Sequence, residues 1–356
     1  MARRSTLLIV LLLVAALGFA GGGQEEAAEP APMEEGGAAE AEAEGMWMPE
    51  KPIQIIVPWS AGGSTDQMTR VTAGVLEPEL GQPVVVVNQP GASGSVGTKG
   101  ALDAPHDGYT WTAGAAADLG AYKVRGLLDT TLDDWELFLT VANVSVISVN
   151  PDTPYEDFGD LLDAMAESGA NIPVATAGQL SAGHNAMLSI EKHADISWRH
   201  VTYDGGNPAV IATVAGETEV VPQLAVEQAD MLAGGRLRAL AVLADQPLEL
   251  DGYGTIPAIT DWLPDYQPAP NYFGIWLPKD APDEVIETFG QLWETVIADS
   301  EALQQYAAER GAVFAPSWGE EAVEDAMPFL SNVAWTLHEA GETVMSPEEV
   351  GIPRPE

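Results

Sequence analysis

The sequence predicts an α/β protein with two domains, and two observations support this prediction. The chain has 356 residues, which is too long for one ordinary domain and makes two domains the default expectation. From residue 53 onwards, short apolar runs alternate with amphipathic helical segments. This alternation is typical of parallel sheets with crossover helices. With 46% hydrophobic residues, the chain can bury a sizeable core.

The elements follow in order along the chain. Short apolar runs predict strands at residues 53–57, 84–87, 109–113, 144–149, 172–175, 238–243 and 273–277. Amphipathic patterns predict helices at residues 64–80, 157–168, 184–193, 209–215, 283–299, 301–310 and 320–340. Because proline disrupts helix interiors, Pro78 puts the last turn of the first helix in question.

The N-terminus has the pattern of a secretory signal. Arg3 and Arg4 precede an unbroken apolar run at residues 7–17, and small residues follow at 18–20. Such a run is short for a membrane span, which needs about 20 residues. We therefore expect residues 1–20 to be a signal peptide or an uncleaved N-terminal anchor, and the protein to be exported to the periplasm or the extracellular face. Residues 21–23 are glycines, so the cysteine required for lipidation is absent at this position.

Residues 21–46 predict an acidic, disordered linker. The stretch 24–45 contains eight glutamates and no basic residue, and is otherwise rich in Ala, Pro and Gly. A segment of this composition cannot bury a core and repels itself. We expect it to hold the folded part away from a membrane or cell wall.

The overall charge excludes some classes of partner. The chain has 54 acidic and 14 basic residues, a formal net charge of -40. Phosphate binding draws on clustered Lys and Arg, so nucleic acid and anionic lipid are disfavoured as partners. The chain has no cysteine, which excludes disulfides, thiolate metal sites and a cysteine nucleophile.

The most informative segment joins the first strand to the first helix. A glycine pair makes the turn, Ser64 is the expected N-cap, and Gln67 three residues on fits a capping box. The free N–H groups of such a helix start can bind an anion without arginine; an ordinary capped turn is the alternative. The candidate ligand-binding residues here are Trp59, Ser60, Ala61, Gly62, Gly63, Ser64, Thr65 and Asp66.

Two further junctions repeat the pattern of strand, small residues and helix start. Their candidate residues are Thr176, Ala177, Gly178, Gln179, Ser181 and His184 in one, and Tyr203, Gly205, Gly206, Pro208 and Ala209 in the other. Together these junctions indicate a ligand ringed by helix N-termini across a cleft. The glycine-rich loop at residues 88–97 lacks the G-x-G-x-x-G fingerprint, so we interpret it as structural.

Individual side chains leave alternatives open. His184 fits either a contact to a ligand carboxylate or a structural hydrogen bond, and Trp59 and Tyr203 either pack on the ligand or are buried aromatics without a functional role. Asp66 fits a role in supporting the helix N-terminus and its loop.

Enzyme chemistry is not indicated. No G-x-S-x-G elbow is present, so Ser64 and Ser181 are interpreted as caps and ligand donors. His193 and His200 lack the clustering of a metal site. We expect a binding protein with no cofactor and no metal.

The residues also resemble a known family. The pattern Pro58-x-x-x-Gly62-Gly63-x-x-Asp66, the run at 82–88 and the tetrapeptide at 107–110 are similar to the substrate-binding proteins of tripartite tricarboxylate transporters. Segments 49–70, 81–110, 175–209, 235–242 and 273–278 carry the resemblance across essentially the whole folded part.

This resemblance implies a two-domain, periplasmic-binding-protein-like fold of the Venus-flytrap kind, type II, with two crossing hinge strands. The crossings would lie near residues 141–149 and 272–277. Domain 1 would comprise residues 47–143 plus 273–356, and domain 2 residues 144–272.

The resemblance also implies a site and a function. Backbone N–H groups, small hydroxyls and bridging waters would hold the carboxylate of a small organic acid, with Ala115 and Ala116 forming the near wall. Leu180 and Gln223 depart from the family pattern, which leaves the identity of the ligand open. Integral-membrane permease subunits would receive the ligand, and we expect a monomer. A sensory protein that presents its ligand to a signalling receptor is the alternative, and a carboxylate-ester hydrolase is less well supported.

Overall fold

The structure is a computed structural model that describes residues 46–168 and 170–355. The predicted signal peptide or anchor at residues 1–20 lies outside the described residues. The same holds for all of the predicted linker except Met46.

Thirteen strands and ten α-helices are present in the described part of the chain. The strands are β1 (Ile53–Val57), β2 (Val84–Asn88), β3 (Thr110–Ala115), β4 (Trp135–Asn143), β5 (Val146–Val149), β6 (Pro173–Thr176), β7 (Arg199–Thr202), β8 (Val220–Val221), β9 (Arg238–Val242), β10 (Leu248–Leu250), β11 (Gly254–Ile256), β12 (Asn271–Pro278) and β13 (Val313–Trp318). The helices are α1 (Ser64–Leu80), α2 (Ser95–Leu102), α3 (Ala116–Ala121), α4 (Phe158–Ser168), α5 (Ala182–Glu191), α6 (Gly206–Val214), α7 (Ala225–Ala233), α8 (Asp283–Leu292), α9 (Glu301–Arg310) and α10 (Gly319–Glu339).

The strands form two main sheets. We call each sheet, together with the helices packed on it, a lobe: the first lobe and the second lobe. The first sheet has the order β13-β4-β12-β3-β1-β2, and the second has the order β7-β6-β8-β5-β9. The chain leaves the first sheet at Asn143, enters the second at Val146 and returns to the first at Asn271. The predicted two-domain α/β fold with crossing strands is confirmed.

The two sheets contain the predicted parallel strands but are mixed, because each also contains antiparallel pairs. β1 runs parallel to β2 and β3, but β12 is antiparallel to both β3 and β4. In the second sheet, β6 is parallel to β7 and β8, while β5 is antiparallel to β8 and β9. The antiparallel strands include those next to the two crossings. A strand that enters a sheet from the other lobe is not preceded by the crossover helix that makes neighbouring strands parallel.

Each lobe is held together by its own buried apolar side chains. In the first lobe, aromatic rings pack between sheet and helices, with the Trp111 and Phe289 centroids 4.2 Å apart and those of Phe138 and Trp293 5.0 Å apart. In the second lobe, Phe158 of α4 is buried among apolar strand residues. Rigid cores of this kind let the loops between strand ends and helix starts keep a fixed position.

Two details at the start of α1 differ from the sequence prediction, whereas its predicted range of residues 64–80 is confirmed. Gly63, and not Ser64, is the N-cap of α1, and no side chain caps it. The predicted capping box is absent because the Gln67 side chain donates to the carbonyl oxygen of Gly62. The helix continues through Pro78 to Leu80, where Gly81 in the left-handed region donates its N–H to Glu77 and ends it.

Helix α5 begins at Ala182 and is capped as predicted, since the Ser181 hydroxyl accepts the His184 N–H at 3.4 Å. Helix α6 begins at Gly206, three residues earlier than predicted. Within residues 46–168 and 170–355, no helix combines the length and the apolar character that a membrane span requires.

Candidate functional site

A cleft lies between the two lobes, and loops from both lobes line it. Its inner end is a cavity of about 30 Å³, which we call the inner cavity. It is lined by Trp59, Gly63, Ser64, Thr65, Asp118, Ala177, Ser181, Ala182, Gly206, Gln223, Leu224, Glu227 and Phe273. Interdomain positions of this kind are where small-molecule sites most often occur.

A second space of about 400 Å³, the outer cavity, shares Trp59 and Ala177 with the inner one. Its lining residues are Trp59, Gly91, Ala92, Ser93, Ala177, Gly178, Gln179, His200, Thr202, Tyr203 and Asp204. The glycine-rich loop that we interpreted as structural therefore contributes to this wall. Trp59 and Ala177 thus line both cavities.

The structure brings together part of the predicted site. Seven predicted residues line the inner cavity: Trp59, Gly63, Ser64, Thr65, Ala177, Ser181 and Gly206. Three more line only the outer cavity: Gly178, Gln179 and Tyr203. The predicted residues that line neither cavity are Ser60, Ala61, Gly62, Asp66, Ala115, Ala116, Thr176, His184, Gly205, Pro208 and Ala209.

Several of these outlying residues have a different position in the fold. Ala115, Ala116 and Ala209 are buried in the hydrophobic cores. Ala61 is exposed to solvent. Gly62 adopts a φ of 81°, in the left-handed region that glycine tolerates best.

Asp66 supports the loop before α1. Its Oδ2 accepts the Gly62 N–H at 2.9 Å, and its Oδ1 accepts the Asn88 amide at 3.0 Å and pairs with Arg70 at 2.8 Å. Burial alone would raise the pKa of Asp66, but these hydrogen bonds and the Arg70 charge lower it. The carboxylate is therefore ionised at neutral pH and holds the loop in shape.

The N-terminus of α1 already has a carboxylate beside it. The Ser64 N–H donates to Oε1 of Glu227 at 3.0 Å, and a Cβ at Gly206 would overlap the same carboxyl group. The Glu227 Oε2 is buried without a hydrogen-bond partner among the described residues. Burial raises the pKa of Glu227, although the Ser64 N–H acts in the opposite direction.

Asp118, in the first turn of α3, is the second acidic side chain of the inner cavity. It is only 8% exposed, and its carboxyl receives no hydrogen bond from the part of the chain that the structure describes. Burial raises the pKa of Asp118 to about 8. Its neighbour Tyr122 is fully buried, and burial together with Asp118 raises the Tyr122 pKa as well.

Sequence reasoning missed Asp118 and Glu227, although a signal for both was available. Asp118 is the single charged residue between positions 109 and 122, and Glu227 is the single one between 220 and 229. A lone acidic residue in an otherwise apolar run is expected to be buried with it, and such a group needs a functional or structural reason.

His184 lies beside the cleft but does not face either cavity. It is 3% exposed and stacks on His200, with the ring centroids 4.6 Å apart and the Thr176 hydroxyl 2.5 Å from the His200 Nε2. Burial, with a smaller contribution from His200, lowers the pKa of His184, and burial also lowers that of His200. Both imidazoles are therefore neutral at pH 7 and supply no positive charge to the cleft.

Contacts across the cleft join the two lobes. The Ser60 hydroxyl donates to the carbonyl oxygen of Asp204 at 2.5 Å, and Arg125 donates to the Gln179 side chain at 2.6 Å. On α9, Arg310 forms an ion pair with Asp230 of α7 at 2.7 Å. The lobes are thus in contact on both sides of the inner cavity, which corresponds to a closed cleft.

Another cavity, of about 310 Å³, lies at the crossing strands and is lined by none of the predicted residues. Its wall includes the buried amides of Asn143, Asn185 and Asn271, and these have oxygen atoms without a protein partner among the described residues. Polar spaces of this size are normally filled with ordered water. In residues 46–168 and 170–355, no cluster of three or more His, Cys, Asp or Glu side chains could hold a metal ion.

Two α/β lobes, two crossing segments and a lined interlobe cleft define the class of periplasmic solute-binding proteins. Residues 68–308 match the family described as tripartite tricarboxylate transporter family receptor. The chain belongs to this family, whose members are solute-binding receptors and not enzymes. The resemblance noted in the sequence is thereby confirmed.

Individual relatives agree with this assignment. The chain is 30% identical over 243 residues to a protein encoded in the tcbD–tcbE intergenic region of a Pseudomonas species, covering 67% of this chain and 71% of the relative. It is 27% identical over 270 residues to the protein BugT of Bordetella pertussis, covering 73% of this chain and 81% of the relative.

Solved structures show the same fold. A periplasmic transporter structure is 25% identical with a TM-score of 0.74 and covers 84% of this chain and 99% of its own. A protein of R. palustris, solved with adipate, is 22% identical with a TM-score of 0.73 and covers 82% of this chain and 98% of its own. The periplasmic binding protein BugD is 21% identical with a TM-score of 0.69, covering 86% and 99%.

Proposed function

We propose that this protein is an exported receptor that captures a small carboxylate-bearing solute in its interlobe cleft and delivers it to integral-membrane permease subunits. The observation that carries the proposal is the pair of cavities between contacting lobes, which share two lining residues and are lined by loops from both lobes. The adipate bound to one structural relative and the malate bound to another support a carboxylate ligand.

The geometry favours capture by closure. The inner cavity is a small space of about 30 Å³ between contacting lobes, so a solute reaches it more readily while the lobes are apart. Closing brings the Ser60 hydroxyl to Asp204 and Arg125 to Gln179, and such contacts stabilise the closed form around a ligand. A permease that recognises the closed form would then receive loaded receptor. The signal-like residues 1–20 support export, and a single chain contains the whole cleft, which supports a monomeric receptor.

A screen of small acids tests the proposal. A ligand that binds only the folded protein raises its melting temperature, so we expect at least one small carboxylic or amino acid to do so, with a one-to-one stoichiometry in calorimetry. Uptake of that solute by cells should then require both the receptor and its permease. If no small acid in the panel shifts the melting temperature, the proposal is wrong.

Replacing Trp59 by alanine should weaken ligand binding by at least about tenfold, because this side chain lines both cavities and aromatic anchors dominate binding energies. The matched control is Trp262→Ala. Trp262 is also partly buried but packs on Phe158 in the second lobe and lines neither cavity. Calorimetry with the ligand from the screen measures both variants. Equal affinities for the two would contradict the assignment of the cleft as the binding site.

A further inference from the structure

The cavity of about 310 Å³ at the crossing strands, which we call the hinge cavity, is separate from the binding cleft. It shares only Ala182 with the inner cavity and no lining residue with the outer cavity. Residues 143–145 of the first crossing and residues 267, 269 and 271 at the second contribute to its wall, together with residues of α5 and α10. The proposed capture of a solute in the cleft makes no use of this space.

Three buried asparagines line the hinge cavity with amide atoms that have no partner among the described residues. Asn143 and Asn271 are direct partners in the pairing of β4 with β12 and are 1% and 3% exposed, and Asn185 of α5 is 7% exposed. The Asn185 nitrogen donates to the carbonyl oxygen of Leu180 at 2.8 Å, so only its oxygen is unpaired, whereas both amide atoms of Asn143 are unpaired. Buried amide groups are normally hydrogen-bonded, so these three require a partner from outside the chain.

The hinge cavity is larger than these amides alone require. At about 30 Å³ for each molecule of liquid water, its volume corresponds to about ten waters. A buried water normally makes about three hydrogen bonds, and part of the wall cannot supply them, because Phe329, Val333, Ala186 and Leu243 are apolar. A volume of this size with an apolar lining and a few convergent polar groups is typical of a small-molecule site.

The ionisable lining residues all belong to the exposed part of the wall. Lys192, His193 and Asp265 are exposed to solvent. The Lys192 Nζ pairs with Glu339 at 3.0 Å, and the His193 ring packs on Tyr266 with the centroids 5.4 Å apart. The buried lining residues are uncharged. An ionised group beside the buried amides would lose its hydration without gaining a counter-charge, so the hinge cavity favours a neutral occupant.

We propose that the hinge cavity is a second binding site, which takes a small neutral molecule that carries amide groups next to an apolar group. An amide supplies an N–H donor and a carbonyl acceptor, which are the partners that the amides of Asn143, Asn185 and Asn271 require. The apolar group packs on Phe329 and Val333 of α10. Cyclic dipeptides combine these properties, because both amides are in the ring and neither end is ionised. The site is independent of the solute that occupies the cleft.

A matched pair of probes tests the class of ligand. Cyclo(Gly-Phe) is neutral, whereas the linear dipeptide Gly-Phe has the same side chain but an ammonium and a carboxylate group. We expect cyclo(Gly-Phe) to raise the melting temperature and to bind with a one-to-one stoichiometry in calorimetry, and the linear dipeptide to bind the hinge cavity at least about tenfold more weakly. A hinge cavity that holds only water would bind neither probe, and that result would overturn the inference.

Asn143→Leu tests the location of the site, because leucine has a similar size and removes both unpaired amide atoms. The variant should bind cyclo(Gly-Phe) at least about tenfold more weakly, while its free energy of unfolding should not fall, since a buried amide without a protein partner is lost. The matched control is Asn171→Leu, which changes an exposed asparagine that does not line the cavity and should leave the affinity unchanged.

Ala186→Phe provides a second variant in case Asn143→Leu does not fold. Ala186 lies on α5 and is 4% exposed, and a phenyl ring at this position would occupy space in the cavity and exclude the cyclic dipeptide. Melting curves confirm that each variant is folded. Linear dipeptide binding that is retained in both variants belongs to another site. Unchanged affinity for cyclo(Gly-Phe) in the folded cavity variants would overturn the inference, and it would leave the receptor function of the cleft untouched.

Discussion

Asp118→Asn should make the protein more stable at alkaline pH and should remove much of its dependence on pH between about 4 and 8. Asp118 is buried, and burial raises the pKa of its carboxyl from 3.8 to about 8. Below about pH 4 the carboxyl is protonated in both folded and unfolded chains and does not affect stability. As the pH rises towards 8, the unfolded chain releases this proton and the folded chain keeps it, so stability falls.

The size of the effect follows from the shift. Each pKa unit corresponds to about 1.4 kcal/mol, so the loss across this range is on the order of several kcal/mol. Asparagine has nearly the same shape and cannot ionise, so the free energy of unfolding of the variant should not fall with pH in this way. Urea unfolding at about pH 4 and about pH 9 measures this free energy. We expect similar stabilities of the two proteins at the lower pH and a clear gain for the variant at the higher pH.

The control for this prediction is Asp129→Asn. The Asp129 side chain is 88% exposed and pairs with Lys123 on the surface, where ion pairs contribute little. Its pH profile should follow the wild type. Parallel profiles for wild type and Asp118→Asn would show that the Asp118 carboxyl is not held in its protonated form.

The sequence was sufficient to predict the fold class because the central strands are buried apolar runs. β1 and β12 are short segments of this kind, whereas β2 is an apolar run at the edge of its sheet. The buried strand β4 inside the first sheet was missed, and so were β7 and β13, which lie at sheet edges. An edge strand does not need a continuous apolar run and tolerates proline, as the polar sequence of β7 and Pro316 in β13 show.

The site was predictable only in part, for a different reason. Loops such as 59–65 carry a local signal, since a strand end, glycines and a helix start are adjacent in the sequence. Glu227 meets Ser64 across 163 positions, and no local pattern indicates which of the 54 acidic residues reaches a given helix start. Such a contact depends on how the two lobes close.

Gly274→Ala should lower the free energy of unfolding by on the order of several kcal/mol. Gly274 lies in β12 where the pairing with β4 shifts register. A Cβ there would overlap the carbonyl oxygen of Phe138 and lie 2.7 Å from the Cα of Leu139. These are backbone atoms of the neighbouring strand, so no side-chain rotation can relieve the overlap.

The opposite neighbour of Gly274 provides the control. Gly114 of β3 is its direct partner, but a Cβ at Gly114 would lie 3.4 Å from the Trp276 ring, an ordinary van der Waals contact. Gly114→Ala should therefore change the free energy of unfolding by less than about 1 kcal/mol, measured by urea unfolding of both variants. Equal losses would show that β4 can move away from β12 at low cost. β4 and β12 are the strands that lead to the two crossings at Asn143 and Asn271, so their pairing fixes where the lobes are joined. A methyl group at Gly274 should therefore disturb lobe closure as well as stability.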